Sequence, residues 1–243
     1  MKNLIIDEGN TCVKVAVYES DTLQDLSVVS FETLEDELPV FFLTHEISRV
    51  ILSSVGAYER EIKTLIPDEI PFLLLSNTTK VPFDNLYASP KTLGVDRIAL
   101  VSAASYMYPS QNVLVIDMGT CVTFDFINAQ KQYLGGAISP GIRMRYKALS
   151  TFTAKLPDLS IQTPEAIIGI DTASSIHSGV LNGMQHEIDG IITSYKRQFS
   201  ELTVVLTGGD RIYLSKRLKN SIFAHSNFLL EGLNTILKYN IHE

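Results

Sequence analysis

Two stretches of the chain alternate apolar and polar residues around an acidic glycine turn. In one, the apolar run V-L-V-I at 113–116 delivers Asp117 to its end, and Met118-Gly119-Thr120 turns the backbone. Val122, Phe124 and Phe126 then alternate with Cys121, Thr123 and Asp125. A period of two is a strand signal, so the pattern predicts strand, turn, strand. The N-terminus repeats it. Leu4-Ile5-Ile6 leads to Asp7-Glu8-Gly9-Asn10-Thr11, and Val13, Val15 and Val17 alternate with Cys12, Lys14 and Ala16. A single D-x-G hairpin signals little, because Asp and Gly are common turn residues. Two copies, one opening each half, predict a duplicated α/β fold: domain 1–108 and domain 109–243, facing each other with one acidic turn apiece.

The rest of the first half reads as a third strand (26–31), a helix (33–43) that Pro39 starts or bends, a strand (49–53), a helix (58–66) and a strand (71–75). Residues 76–90 show little period and contain Pro82, Asn85 and Pro90, so they read as a surface loop of a length that is often functional. Residues 94–106 resume helical spacing. After the second hairpin come a short strand at 132–134, a break at Gly135-Gly136, and a turn at Ser139-Pro140-Gly141 ahead of a short helix. Arg143, Arg145 and Lys147 on that helix read as a solvated face. A long helical stretch (171–198), a strand (202–206), a helix (211–218) and an amphipathic helix (228–239) complete the order.

Composition narrows the function classes. Hydrophobic content of 45% suits a packed core, and a net charge of −7 argues against a general nucleic-acid or anionic-membrane partner. The N-terminal apolar run is too short for a signal peptide, and no stretch approaches a transmembrane helix, so a cytoplasmic enzyme is expected. Cys12 and Cys121 both follow the acidic turns; reduced, partly buried thiols are expected over a disulfide. His177 and His186 lack zinc-ligand spacing.

The turns suggest phosphate chemistry. Gly119 permits close ligand approach, and backbone N–H groups in such a turn can cradle a phosphate. A duplicated domain with an acidic glycine hairpin in each half resembles the actin, sugar-kinase and chaperone ATPase superfamily. That resemblance implies ribonuclease-H-like domains with nucleotide in the cleft between them. The motif T-L-G-V-D-R at 92–97 narrows it. With D-E-G-N-T, D-M-G-T, Gly135-Gly136-x-Ile138-x-Pro140-Gly141 and Thr207-Gly208-Gly209-Asp210, it resembles the type III pantothenate kinase family over nearly the whole chain.

The resemblance implies transfer of the γ-phosphoryl of ATP to the terminal hydroxyl of pantothenate, the committed step towards coenzyme A. It implies that Asp7, Glu8, Gly9, Asn10, Thr11, Cys12, Val13 and Lys14 hold the ATP phosphates, with Asp7 facing Mg2+ through water and Thr120 a second phosphate contact. Asp96 is the implied proton acceptor. Tyr87, Gly94, Val95, Arg97 and Thr172 line the pantothenate site beside it. Asp117 is the implied ligand of a monovalent cation, K+ or NH4+. The family is dimeric, and the small residues Gly179 and Gly183 on the long helix are the candidate twofold contact.

The bland alternatives are that Asp96 caps a helix, that Tyr87 pins a loop, and that Thr172 is an N-cap. Glu8 departs from the pattern: a second carboxylate stands where an apolar residue is expected, and like charges so close repel unless Glu8 points away. A different small-molecule kinase, a non-catalytic nucleotide-binding regulator and an actin-like filament protein are the competing readings. The presence of both Asp7 and Asp96 disfavours the regulator.

Overall fold

The computed structural model describes residues 1–240. The described chain separates into two compact units. The first holds Met1–Pro109, Lys131–Tyr133 and the closing helix from Phe228; the second holds Ser110–Gln130 and Leu134–Asn227. The final helix thus packs with the first half of the sequence.

In the first unit, β1 (Lys2–Glu8), β2 (Val13–Glu19) and β3 (Thr22–Val29) form an antiparallel meander. β4 (Ile47–Ser54) then runs parallel to β1, and β5 (Phe72–Leu74) parallel to β4. Strand order is β3-β2-β1-β4-β5. Period-two alternation decides what each face meets. Leu4, Ile6, Val13, Val15, Val50 and Leu52 pack against Leu34, Leu38 and Phe41 of α1 (Leu34–Thr44) and Ile62 of α2 (Glu59–Thr64). The other face carries α3 (Val95–Met107) and, last in the chain, α7 (Phe228–Tyr239). Asn3 Nδ2 donates to Asn234 Oδ1 at 2.9 Å there, and the Tyr18 hydroxyl to Glu231 Oε1 at 3.1 Å. The loop between β5 and α3 contains a two-residue strand, β6 (Asp84–Asn85). It runs parallel to Gln132 and Tyr133.

The second unit repeats the plan. β7 (Asn112–Met118) and β8 (Cys121–Ile127) form the hairpin, β9 (Gln132–Pro140) follows, and β10 (Leu202–Thr207) and β11 (Phe223–Ala224) add in parallel. Their order, β11-β10-β7-β8-β9, is that of the first sheet. Leu114, Ile116, Phe124, Phe126, Val204 and Leu206 pack under α4 (Ile142–Phe152), α5 (Thr172–His177) and α6 (Gly183–Gln198). A π-helical segment, Ser178–Asn182, joins α5 to α6 without a break.

Several elements differ from expectation. β9 runs on through Gly135 and Gly136, because its ladder with β8 continues and glycine weakens a strand without ending it. The stretch expected as a helix at 211–218 is a 3-10 turn, Gly209–Tyr213; among its apolar side chains only Leu214 is fully buried, too little apolar face to anchor an α-helix. Pro39 lies inside α1, not at its start. Arg145 is not a solvated charge: its Nη2 lies 2.7 Å from Glu187 Oε2 and its Nε donates to the Pro140 carbonyl at 2.8 Å. Both cysteines are free thiols.

Candidate active site

The first cluster forms where β1 ends. Asn3, Ile5 and Asp7 share one face of the strand, the face that carries α3 and α7. Asp7 is therefore delivered to the helix-covered face, within electrostatic reach of Asp96 on α3. Lys14 on β2 and Ser53 on β4 are its register partners, and paired residues point the same way. Burial pushes the Asp7 carboxyl up to about 6; Lys14 opposes the rise, while Asp96 and Glu8 add to it. Asp7 and Asp96 thus feel each other's charge. Two acids and an amine are gathered at one end of one sheet.

Asp96 stands in the first turn of α3, whose N-cap is Gly94. Its Oδ1 accepts the Arg97 backbone N–H at 2.8 Å, so the helix terminus holds the carboxylate without using it as the cap. Arg97 is buried, and its guanidinium lies 5.6 Å from the Tyr87 ring centroid. Tyr87 N–H donates to Asn85 Oδ1 at 3.0 Å. The acceptor-site candidates Tyr87, Gly94, Val95, Asp96 and Arg97 therefore come together at one loop-to-helix junction.

Glu8 alternates to the opposite face. It is fully buried, its Oε2 accepting from Ser54 Oγ at 2.5 Å and its Oε1 from Tyr58 N–H at 2.7 Å. Its carboxylate closes the loop into α2 and is turned away from Asp7, so its side chain does not join the phosphate turn. Val13 is likewise buried in the apolar core, which leaves it only main-chain groups to offer. Gly9 N–H donates to the Cys12 carbonyl at 3.1 Å and closes the turn, with Asn10 and Thr11 exposed at its tip.

The second cluster occupies the matching place in the second unit. Asp117 pairs in register with Thr123 on β8 and Thr207 on β10, on the face away from α4. Its partners are hydroxyls where Asp7 has a lysine and a hydroxyl. Gly208 holds φ +89, and an added Cβ would strike the Met118 carbonyl and Asp117 Oδ1. Both oxygens converge on this glycine. Thr120 is exposed at the turn. Gly141 N–H donates to the Thr120 carbonyl at 3.1 Å. Behind Gly141, Ser139 Oγ donates to Glu187 Oε1 at 2.6 Å, and Glu187 also holds Arg145. This bracing escaped the sequence reading, because Glu187 lies far along the chain with no motif around it.

Thr172 is exposed and is not the N-cap of α5. Asp171 is, in a reciprocal capping box with Ser174. Among the described residues no group of three or more His, Cys, Asp or Glu side chains is arranged to hold a metal.

Twin sheets of this strand order, each ending in an acidic hairpin turn, define the actin-like ATPase and sugar-kinase class of fold. A glucokinase from an Antarctic psychrotroph superposes with a TM-score of 0.53 at 11% identity, covering 98% of this chain and 99% of its own. A Campylobacter jejuni chain assigned to the Baf family of transcriptional activators gives a TM-score of 0.61 at 22% identity over 98% of both chains. Within that class the sequence is specific. The type III pantothenate kinase family profile matches residues 3–194. A type III pantothenate kinase of Christiangramia forsetii is 46% identical over 98% of both chains. The chain belongs to the type III pantothenate kinase family. That membership makes it an ATP-dependent phosphotransferase acting on an alcohol, with Mg2+ as the companion ion of the nucleotide.

Proposed function

We propose that the chain phosphorylates pantothenate at its terminal hydroxyl, with Asp96 as proton acceptor. The supporting observation is the meeting of Asp7, Lys14 and Asp96 at one end of the first sheet, with Arg97 and Tyr87 beside them. Phosphoryl transfer asks mainly for positioning and charge neutralisation. Lys14 and the main chain of the Gly9–Asn10 turn bind phosphate oxygens. Asp7 suits Mg2+, which takes few carboxylates and keeps its waters. The metal supplies positive charge at the transferred phosphate. Asp96, held by the Arg97 N–H, takes the proton from the attacking hydroxyl. Arg97 binds an anionic group of the acceptor through its planar fork, and Tyr87 packs against it.

For the finer assignments, Thr120 serves as a second phosphate contact. Asp117 holds a monovalent cation with carbonyl oxygens. The support is chemical: Asp117 Oδ1 and the Met118 carbonyl converge at Gly208, and hard oxygen donors suit K+. The working form is a cytoplasmic homodimer. An apolar groove of about 920 Å³ between α4 and α5, lined by Leu149, Phe152, Leu156, Ile176 and Val180, supports this. Thr172, at its rim, is a contact for the acceptor substrate. Glu8 is left out of the phosphate contacts.

ATP consumption with and without pantothenate, in potassium and in sodium buffers, tests the set. Wild type should respond to pantothenate and turn over faster in potassium. Asp96→Asn should unfold at the same temperature yet lose about 10²-fold or more in kcat. Near-wild-type turnover in that variant removes Asp96 from the reaction, and equal rates in both buffers remove the cation from Asp117.

A further inference from the structure

We propose that Tyr133 is a positioning residue for the acceptor-substrate site, bracing Tyr87 and, through it, Arg97. The inference rests on the assignment of Tyr87 and Arg97 to pantothenate. The loop that carries Tyr87 has little regular structure of its own: β6 is two residues long, and the 3-10 turn Pro90–Thr92 follows it. Something outside the loop has to fix the ring. Tyr133, fully buried near the start of β9, supplies that at both main chain and side chain.

The backbone clip comes first. Asp84 N–H donates to the Lys131 carbonyl at 2.9 Å, and Leu86 N–H to the Tyr133 carbonyl at 3.0 Å. These bonds flank β6 and stop one residue short of Tyr87. The rings complete the brace. Tyr133 meets Phe83 edge-on, centroids 6.1 Å apart at 73°, and stacks with Tyr87 at 6.0 Å and 28°. Aromatic pairs favour these two arrangements, edge-to-face and offset-stacked. Tyr87 in turn lies 5.6 Å from the guanidinium of Arg97, the neighbour of Asp96. One line of contacts therefore runs from Phe83 through Tyr133 and Tyr87 to Arg97. Every member lies within the first unit. The line ends on Arg97, an acceptor-site candidate and not a member of the phosphate turn, so its loss should be felt by one substrate and not the other.

Steady-state kinetics with pantothenate and ATP varied separately provide the test. Tyr133→Phe keeps the ring and should leave both KM values at wild type, whatever the lost hydroxyl costs in stability. Tyr133→Leu should raise KM for pantothenate roughly threefold to tenfold, the range for a lost aromatic pair, with KM for ATP unchanged. A merely structural role would lower the active fraction, hence apparent kcat, and leave both KM values in place. Tyr87→Leu should raise KM for pantothenate, and adding Tyr133→Leu to it should add little. Fully additive effects, or a Tyr133→Leu enzyme with normal pantothenate KM beside an impaired Tyr87→Leu, overturn the brace. If Tyr87→Leu leaves pantothenate KM unchanged, the acceptor-site assignment fails and the brace with it. Should Tyr133→Leu not fold, Phe83→Leu, which removes the ring seating Tyr133 from the other side, must give the same selective rise in smaller measure. No rise there also overturns the proposal.

Discussion

Asp7 shows how alternation along a strand sets chemistry. Its odd register sends it to the α3 side, where burial raises its carboxyl to about 6, while Glu8, one residue on, is sent to the opposite face and tied to Ser54 and Tyr58. A raised carboxyl pKa means the folded chain holds its proton more tightly than the unfolded chain. The associated stability is present below pH 3.8, where both states are protonated, and is lost as pH rises through about 6. The gap from 3.8 to about 6 corresponds to about 3 kcal/mol. Asp7→Asn, which cannot ionise, should stabilise the ligand-free protein by up to that amount at pH 8 and by almost nothing at pH 4. Denaturant unfolding at the two pH values measures the difference. On the proposed role of Asp7, magnesium nucleotide binds the ionised form, so wild-type affinity for it should fall as pH drops below about 6, and the Asn variant should lose that dependence. A wild type whose nucleotide affinity is flat from pH 5 to 8 would count against Asp7 as the acid that faces the metal.

At the scale of elements, the hairpins were legible because period-two alternation runs through them unbroken, and α7 because its apolar face is continuous. β6 was not, since two residues carry no period. The turn at Gly209–Tyr213 misled because a few apolar residues at helical spacing mimic a helix, while only Leu214 among them is fully buried and Ile212 faces solvent. The site divides in the same way. Asp7, Asp96 and Asp117 sit in local motifs and could be named from sequence. Tyr133 and the Glu187–Arg145–Ser139 bracing act across distant parts of the chain and could not. Gly208 bridges the two cases: its motif was visible, but its reason is the positive φ and the approach to Asp117. Gly208→Ala sets a Cβ against the Met118 carbonyl in a backbone conformation that alanine resists. Strain and displacement together should cost about 2 kcal/mol or more and remove most turnover, whereas Gly209→Ala, with open space around it, should change stability by less than about 1 kcal/mol. Thermal melts and kcat for both variants separate the positions; equal effects would mean that the approach at Gly208 is not needed.

Over the whole molecule, the two sheets share a strand order yet place different partners beside their acids, Lys14 against Asp7 and Thr123 against Asp117. A shared frame therefore carries a different charge balance in each half. The second unit also carries apolar surface that its own fold leaves uncovered. Phe152 is 85% exposed, and Ile167, Ile168 and Ile170 are 66%, 76% and 93% exposed. These isoleucines are not on a slack loop. Ser178 Oγ donates to the Ile167 carbonyl at 2.5 Å, and Ser174 Oγ accepts from Ile170 N–H at 3.0 Å. A held apolar ridge beside an apolar groove matches the self-complementary surface that a twofold dimer needs. Among the described residues, an added Cβ at Gly179 or Gly183 would meet no atom within 4 Å outside the backbone of its own helix, which leaves room for a helix from a second copy. Phe152→Glu should leave the protomer folded, since its ring is already in water, while placing a charge where the partner would pack. Light scattering at working concentration should then read a dimer for wild type and a monomer for the variant, with KM for pantothenate raised if Thr172 belongs to a site that the second copy completes. A wild-type monomer at that concentration would sink the homodimer, and a variant that stays dimeric would move the interface off this groove.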